Sequence, residues 1–403
     1  MIRICPPFPD PARRNMDSTE TADRSGSDAE PVASPSRLRE TFDAPAPLTV
    51  GIEEEVMLLD GVTLDLNPRA EELLAAAGGD GRFKLELPAA QVELVTLPCA
   101  TVSEAAAQLE SARASLHEAA SGIGRLAGAG AHPTAGPEGV LNHHERYRVT
   151  REEFGPVAHA QLVFGLHVHV RVAGAERAVA VHNALRSYLP QLAALAANAP
   201  FHAGRDTGLA SVRPKISELL PRQGVPPTLA DLDELAEAWR WGAAAGSMPR
   251  PNHWWWELRL HPTLGTIEVR VPDQQTTVAQ SAGVAAVIHA LVATLAERHD
   301  EGLPLAVHPT WRIAENRWSA GRHGLAGTMA DLDIGERRPT RDSLRALLEW
   351  LEPAAGRAGC LGELAAADRL VTANGSERQR QVAAQEGLSG LVAWLADSFL
   401  AVG

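Results

Sequence analysis

Gly51-Ile52-Glu53-Glu54-Glu55 opens the first apolar run of the chain, Leu48 to Leu59. Read as a strand, that run alternates its side chains with period two. Glu53 and Glu55 then share one face, and Glu54 joins Ile52, Val56 and Leu58 on the other. Two carboxylates roughly 7 Å apart on a rigid strand repel unless a cation sits between them. Oxygen ligands of this kind suit Mg2+ or Mn2+ better than Zn2+. An edge strand with solvated charges accounts for the same residues, so the pattern alone leaves both readings open.

Three further clusters have the same period. In Lys84 to Thr96, Gln91 and Glu93 share a face if Gln91 to Thr96 is a strand, and Pro88 puts Glu86 on the approach to it rather than within it. Gly165-Leu166-His167-Val168-His169-Val170 places two imidazoles on one side and three apolar residues on the other. Such a pair can ligate a metal, contact a substrate or form a hydrogen-bonded polar face. Trp254 to Val271 reads as two strands around a Pro262–Gly265 turn. His261 then faces Thr266, Arg259 faces Glu268 and Glu257 faces Arg270. Two cross-strand ion pairs explain those charges as well as a metal and phosphate site does. The stretch from Gly204 to Arg213 carries Arg205 and Arg213, whose forks can bind carboxylate or phosphate if the loop is not simply solvated.

Between these segments the chain reads as helical. Thr101-Val102-Ser103-Glu104 looks like a capping box opening a helix that runs to about Leu126. Helices follow at Arg177–Ala199, Thr228–Trp241 and Thr277–Arg298, and most of the remainder is helical. Strands confined to the first two thirds, alternating irregularly with helices, predict an α+β fold with an antiparallel sheet. Gly122 to Ala127 spells GxGxxA, but it ends a helix instead of following a strand, so it is no dinucleotide fingerprint. No GxxxxGK[ST] is present.

The chain has 403 residues and a formal charge of −13, which argues against a nucleic-acid or anionic-membrane surface as its main partner. Only Lys84 and Lys215 are lysines. Cys5, Cys99 and Cys360 form no CxxC pair, which predicts a reduced, cytoplasmic protein. No apolar run reads as a membrane span. Residues 1–46 are rich in Pro, Ser and charge and are expected to be a disordered leader; 47–403 are expected to be one catalytic domain.

The clusters fall in a telling order: GIEEE, LPAAQVELVT, GLHVHV, RDTGLASVR, WELRLHPTLGTIEVRVPDQQ, Glu315-Asn316-Arg317-Trp318 and Arg378-Gln379-Arg380. From about Thr49 to near its C-terminus the chain resembles the glutamate–cysteine ligase family of the second bacterial type, also called the carboxylate–amine ligase family. The resemblance implies a curved, mainly antiparallel sheet with helices outside, related to the catalytic domains of glutamine synthetase and guanido kinases. It implies an ATP-dependent acid–amino-acid ligase using Mg2+ or Mn2+. L-glutamate would be activated as a γ-glutamyl phosphate, and an amine, typically that of L-cysteine, would displace the phosphate.

By the same resemblance Glu53, Glu55, Glu93, His167 and Glu268 are metal ligands. Glu86 lies near metal or amine and, with Arg270, serves catalysis; Arg270 also meets ATP phosphate, and Arg205 or Arg213 holds the α-carboxylate of the amino acid. His169 is placed beside the substrate or behind a ligand. Asn316, Arg317, Arg378 and Arg380 match the family without an evident chemical role. Alternative readings are a ligase for another amine or carboxylate, a guanidino phosphotransferase, a zinc hydrolase built on His167 and His169, and a binding-only descendant. The partners expected are small molecules, with no nucleic acid and no membrane; homo-oligomerisation stays open.

Overall fold

The computed structural model describes residues 34–246 and 251–401. Its main sheet has seven strands, all antiparallel to their neighbours. They are β1 (Val50–Leu59), β2 (Phe83–Leu85), β3 (Gln91–Val95), β4 (Arg125–Ala127), β5 (Leu166–Arg171), β8 (Leu258–His261) and β9 (Thr266–Val269). The order is β2-β3-β1-β5-β9-β8, with β4 pairing the far end of β1. Two small hairpins complete the strands: β6 (Phe201–His202) with β7 (Arg205–Asp206), and β10 (Thr328–Ala330) with β11 (Arg337–Pro339).

The expected α+β class with an antiparallel sheet is therefore correct. β1 alternates as its sequence requires: Val50, Ile52, Glu54 and Val56 are buried, while Gly51, Glu53 and Glu55 are partly open. The register then aligns polar residues across five strands. Glu55 faces Glu93, Glu53 faces His167, His169 faces Glu268, and Arg259 faces Glu268 from the other side. One face of the sheet thus carries the chemistry; the other carries Leu166, Val168, Val170, Ile267 and Val269, all fully buried.

Against that apolar face lies the helix Val278–Asp300. It is apolar on nearly every side because other helices surround it, including Ala175–Leu185, Thr340–Arg357 and Leu361–Thr372. It is long and apolar enough to cross a membrane, contrary to the reading that no segment was. In this fold 89% of its most apolar stretch is buried among other elements. Thr277 caps it with Gln280 in a full capping box, with backbone and side chain bonded in both directions.

Several boundaries differ from expectation. Thr101 does cap a helix, but that helix is Val102–Ala119 and ends seven residues before Leu126. Gly122 turns with φ of 78°, and the chain re-enters the sheet as β4, so the GxGxxA letters run from turn to strand. The helix expected over Arg177–Ala199 is Ala175–Leu185, a 3-10 turn and Leu189–Leu195, with Pro190 opening the last piece. The next begins after Asp231, whose carboxylate caps Glu234, so it spans Leu232–Ala245.

The end of the expected leader is also ordered. Pro35–Asp43 is a helix capped by Ser34, with Leu38 and Phe42 fully buried one turn apart against the helices Ala175–Leu185 and Leu232–Ala245. Arg171 seals its C-terminus by donating to the carbonyls of Thr41 and Ala44 at 2.9 and 2.8 Å. The expectation of disorder overlooked this apolar pair amid polar neighbours. Residues 1–33 lie outside the described residues.

Candidate active site

Five strands deliver the site. β3 carries Gln91 and Glu93, β1 carries Glu53 and Glu55, β5 carries His167 and His169, β9 carries Glu268, and β8 carries Arg259. Alternation puts all of these side chains on one face, which no single segment reveals. Beside this face opens a cavity of about 620 Å3, lined among others by Glu55, Glu86, Glu93, His167, Arg213, Arg259 and Arg270.

Glu53 sits between the two histidines. Its Oε2 lies 3.3 Å from His167 Nδ1, and its Oε1 lies 3.3 Å from His169 Nε2. His167 Nε2 is 3.7 Å from Glu55 Oε1, too long for a hydrogen bond, and both His167 Nε2 and His169 Nε2 are buried without a hydrogen-bond partner. His169 Nδ1 is fixed by the Thr266 hydroxyl at 2.9 Å. Glu55 accepts from the backbone N–H of Gly165, which sets its rotamer.

Glu268 is fully buried and bonded by Arg259 and Arg270 together, with a further Arg259 Nη2 contact of 3.1 Å. Arg270 also approaches His167 Nδ1 at 3.4 Å. Glu257 was expected to pair with Arg270. Their strands do meet, the Arg270 N–H donating to the Glu257 carbonyl at 2.8 Å, but the Glu257 carboxylate turns to Arg317, which donates to it at 2.6 and 2.9 Å. Two ends claim Arg270, and buried Glu268 wins it.

The electrostatics divide the carboxylates. Burial pushes Glu53 and Glu268 upward, but their hydrogen-bonding and charged neighbours overrule it. His169 and His167 hold Glu53 well below the usual carboxylate range, and Arg259 and Arg270 do the same for Glu268. Glu93 goes the other way: burial and the charges of Glu53 and Glu86 raise it well above the usual value, despite Lys84 at 3.2 Å. Burial and Glu55 raise Glu86 to about 7, with Arg146 at 3.3 Å opposing. Burial, then Arg270, lowers His167, so its imidazole stays neutral and keeps a lone pair.

The donor set fits divalent cations. Glu53, His167 and Glu268 bring ligand atoms within 4.8 Å of one another, and so do Glu55, Glu93 and His167. Surplus negative charge and unpartnered imidazole nitrogens in one buried place are what a cation would relieve, and the oxygen majority suits Mg2+ or Mn2+.

The two candidate arginines separate. Arg213 opens the short helix Arg213–Ser217 and reaches the cavity. Arg205 sits exposed on the β6–β7 hairpin, outside the cavity lining. Arg205 follows the Ala203–Gly204 turn at the tip of this hairpin, so its fork has no part in the cavity. His169 and Glu53 lie behind the lining. Arg317 gains a partner in Glu257, and buried Asn316 clamps the backbone of Ala330 in both directions at 2.7 Å. Arg380 holds Asp206, and Arg378 is exposed.

Arg146 and Tyr147 also line the cavity and were not foreseen. Tyr147 is one of two tyrosines in the chain, and its hydroxyl donates to the Leu85 carbonyl at 2.6 Å. A rare aromatic inside a polar loop was the available signal.

Comparison with known proteins gives the family and the fold. Residues 49–392 match the model of glutamate-cysteine ligase family 2. A curated relative from Rubrobacter xylanophilus, provisionally named glutamate–cysteine ligase 2-3, is 40% identical over 364 residues, covering 89% of this chain and 98% of that protein. Among solved structures, the glutamate–cysteine ligase of Francisella tularensis in complex with AMP superposes with a TM-score of 0.67 at 12% identity, over 88% of this chain and 89% of that one. A bifunctional glutathione synthetase from Pasteurella multocida gives 0.59 at 13% identity, over 91% of this chain and 53% of that one. At those identities the structures speak for the fold, and the sequence matches speak for the family: the chain belongs to glutamate–cysteine ligase family 2, a family of carboxylate–amine ligases.

Proposed function

We propose that the protein is an ATP-dependent carboxylate–amine ligase that joins L-glutamate to L-cysteine through a γ-glutamyl phosphate. One observation carries the reading: a face of carboxylates and imidazoles with unpartnered Nε2 atoms meets Arg213, Arg259 and Arg270 around a single cavity. Nucleotide phosphates with divalent cations are the ligands that satisfy both halves. The Francisella tularensis structure was solved with AMP, which supports a nucleotide in this fold.

Bound Mg2+ or Mn2+ would neutralise phosphate oxygens and the charge that spreads over them during transfer. Glu53, Glu55, Glu93, His167 and Glu268 would hold the cations. Arg270, anchored by Glu268, presents fixed positive charge to the moving phosphoryl group without reorganising. Arg213 binds the α-carboxylate of glutamate and so aims its γ-carboxylate at the γ-phosphate. His169, pinned by Thr266, steadies Glu53 from behind the cavity. The incoming amine attacks the acyl carbon, phosphate leaves, and Glu86 Oε takes up an amine proton; a carboxyl raised to about 7 exchanges protons readily near neutral pH. Buried, unpaired thiols at Cys99 and Cys360 are in keeping with a reducing, cytoplasmic setting.

The test is ADP release with Mg-ATP and L-glutamate, L-cysteine or both. Release that requires both, with γ-glutamylcysteine identified by mass, is the expected result. Release with glutamate and a different amine keeps the chemistry and replaces cysteine. Turnover with no carboxylate–amine pair overturns the reading.

A further inference from the structure

Arg213 reaches the cavity from the end of the loop that follows β7. Its guanidinium donates to the carbonyls of Arg270 at 3.2 Å and Val271 at 3.4 Å, and its Nε is buried without a partner. Its nearest carboxylate is Asp273, 4.0 Å from Nη1. Asp273 does not line the cavity and is only 3% exposed. Its two oxygens are both committed: Oδ1 accepts from the Ser211 hydroxyl at 2.9 Å, and Oδ2 accepts from the Asn198 N–H at 2.7 Å. Ser211 lies two residues before Arg213, so Asp273 grips the same loop twice, by hydrogen bond and by charge.

The grip continues outward. Gln379 donates to both the carbonyl and the side-chain oxygen of fully buried Asn198, at 2.7 and 2.8 Å. Gly375 lies so near that a Cβ there would sit 2.0 Å from Asn198 Oδ1. One turn on, Arg380 fixes the start of the loop, donating to Asp206 and to the Leu209 carbonyl at 2.8 Å. Asp273, Asn198 and the first turns of the Gly375–Asp397 helix therefore form one buried frame behind Arg213.

We propose that Asp273 is a positioning residue that sets the guanidinium of Arg213 for the carboxylate of the amino-acid substrate, with Gln379 and Arg380 bracing the loop from outside. The inference rests on the function proposed above. A buried arginine with an open Nε is underbound on its protein side, so its direction is decided by whatever charge stands behind it, and Asp273 supplies that charge. An ion pair held at 4.0 Å leaves the second N–H on each Nη for a ligand, the first being given to the carbonyls of Val271 and Arg270.

The test is kinetic and thermodynamic, on the full chain. Asp273→Asn keeps the shape and removes the charge. Its KM and calorimetric Kd for L-glutamate are expected to rise about tenfold or more, with KM for Mg-ATP and kcat little changed. In an Arg213→Lys background the same change is expected to add almost nothing, because the interaction it weakens is already gone. Arg380→Ala, at a partly exposed position, gives a milder version of the same split if Asp273→Asn folds poorly. Equal KM values for glutamate in wild type and in both variants overturn the inference, as does an Asp273→Asn effect that persists undiminished with Lys at 213. A wild type that neither binds glutamate nor turns over ATP with it defeats the proposed function first, and this inference with it.

Discussion

Glu54 and Arg113 form a two-pronged ion pair behind the sheet, Nε to Oε2 and Nη2 to Oε1, each 2.8 Å long. Neither side chain is more than 1% exposed. Ser281 adds a hydroxyl to the carboxylate, and Arg113 spends its other donors on the carbonyls of Gln275, Thr276 and Phe399. The middle glutamate of the triple is therefore a tie between β1, the Val102–Ala119 helix and the Phe399 carbonyl, while Glu53 and Glu55 lie on the opposite, polar face. Breaking a buried pair strands one charge, so Arg113→Met is expected to cost about 3–5 kcal/mol. Glu54→Leu combined with Arg113→Met is expected to recover part of that loss, since both charges go together. Urea unfolding of wild type and the two variants checks both statements; a double variant no more stable than Arg113→Met refutes the pairing argument.

Gly165 separates Arg213 from His167. A Cβ at this position would lie 2.4 Å from Arg213 Nη2 and 2.8 Å from His167 Nε2. Gly165→Ala would thus press on the anion-binding fork and on the unpartnered imidazole at once, while the strand that follows is unaffected. A drop of about 100-fold in kcat/KM with nearly normal unfolding is the expected outcome, on the scale of a displacement near 1 Å. Wild-type turnover in this variant would show that neither side chain needs its present place.

Period-two alternation made the site face legible strand by strand: Glu53 with Glu55, Gln91 with Glu93, His167 with His169. It also gave the hairpin register, in which Arg259 does face Glu268 and His261 does face Thr266. What alternation cannot express is competition between distant elements. Glu257 looked like the partner of Arg270 because the hairpin sets them opposite. The rival donor, Arg317, arrives from a helix 60 residues on, and Glu268 draws Arg270 to itself. Arg205 and Arg213 looked equivalent as charged letters of one motif. Their difference comes from a hairpin that turns one outward and a helix start that turns the other inward. The helix Pro35–Asp43 was hidden for a related reason, because two apolar residues in a polar stretch matter only once another surface is present to bury them.

Glu53 and Glu268 were read alike as metal ligands, and their surroundings now predict different failures. Glu53 is 21% exposed by its side chain and its close partners are His167 and His169, which can shed a proton when Glu53→Gln removes the charge. Its expected phenotype is a loss of turnover of about 100-fold or more and a weakened Mn2+ affinity, with stability near wild type. Glu268 is fully buried between Arg259 and Arg270, so Glu268→Gln leaves two guanidiniums without their counter-charge. It is expected to lose turnover and about 3 kcal/mol of stability together. Mn2+ titration beside denaturant unfolding separates the two; wild-type Mn2+ affinity in Glu53→Gln would remove that residue from the metal site.

Acid sensitivity should be traceable to a histidine remote from the sheet's polar face. His182, in the helix Ala175–Leu185, is 2% exposed, and burial lowers it from 6.5 to about 4, the Asn183 side chain at 3.4 Å opposing. Above pH 6.5 it is neutral in both folded and unfolded chains and contributes no pH dependence. Between 6.5 and about 4 the unfolded chain binds a proton that the folded chain refuses, so stability falls as pH falls, by about 1.4 kcal/mol per pH unit. Below about 4 the folded chain is protonated too, and the decline from this group stops, having reached about 3 kcal/mol. His182→Gln removes the group. Its unfolding free energy is expected to fall less than that of wild type between pH 7 and pH 4.5, by about 2–3 kcal/mol, because His132 and His289, also lowered by burial, remain in both proteins. Parallel pH profiles for the two proteins would show that His182 gains its proton as easily folded as unfolded.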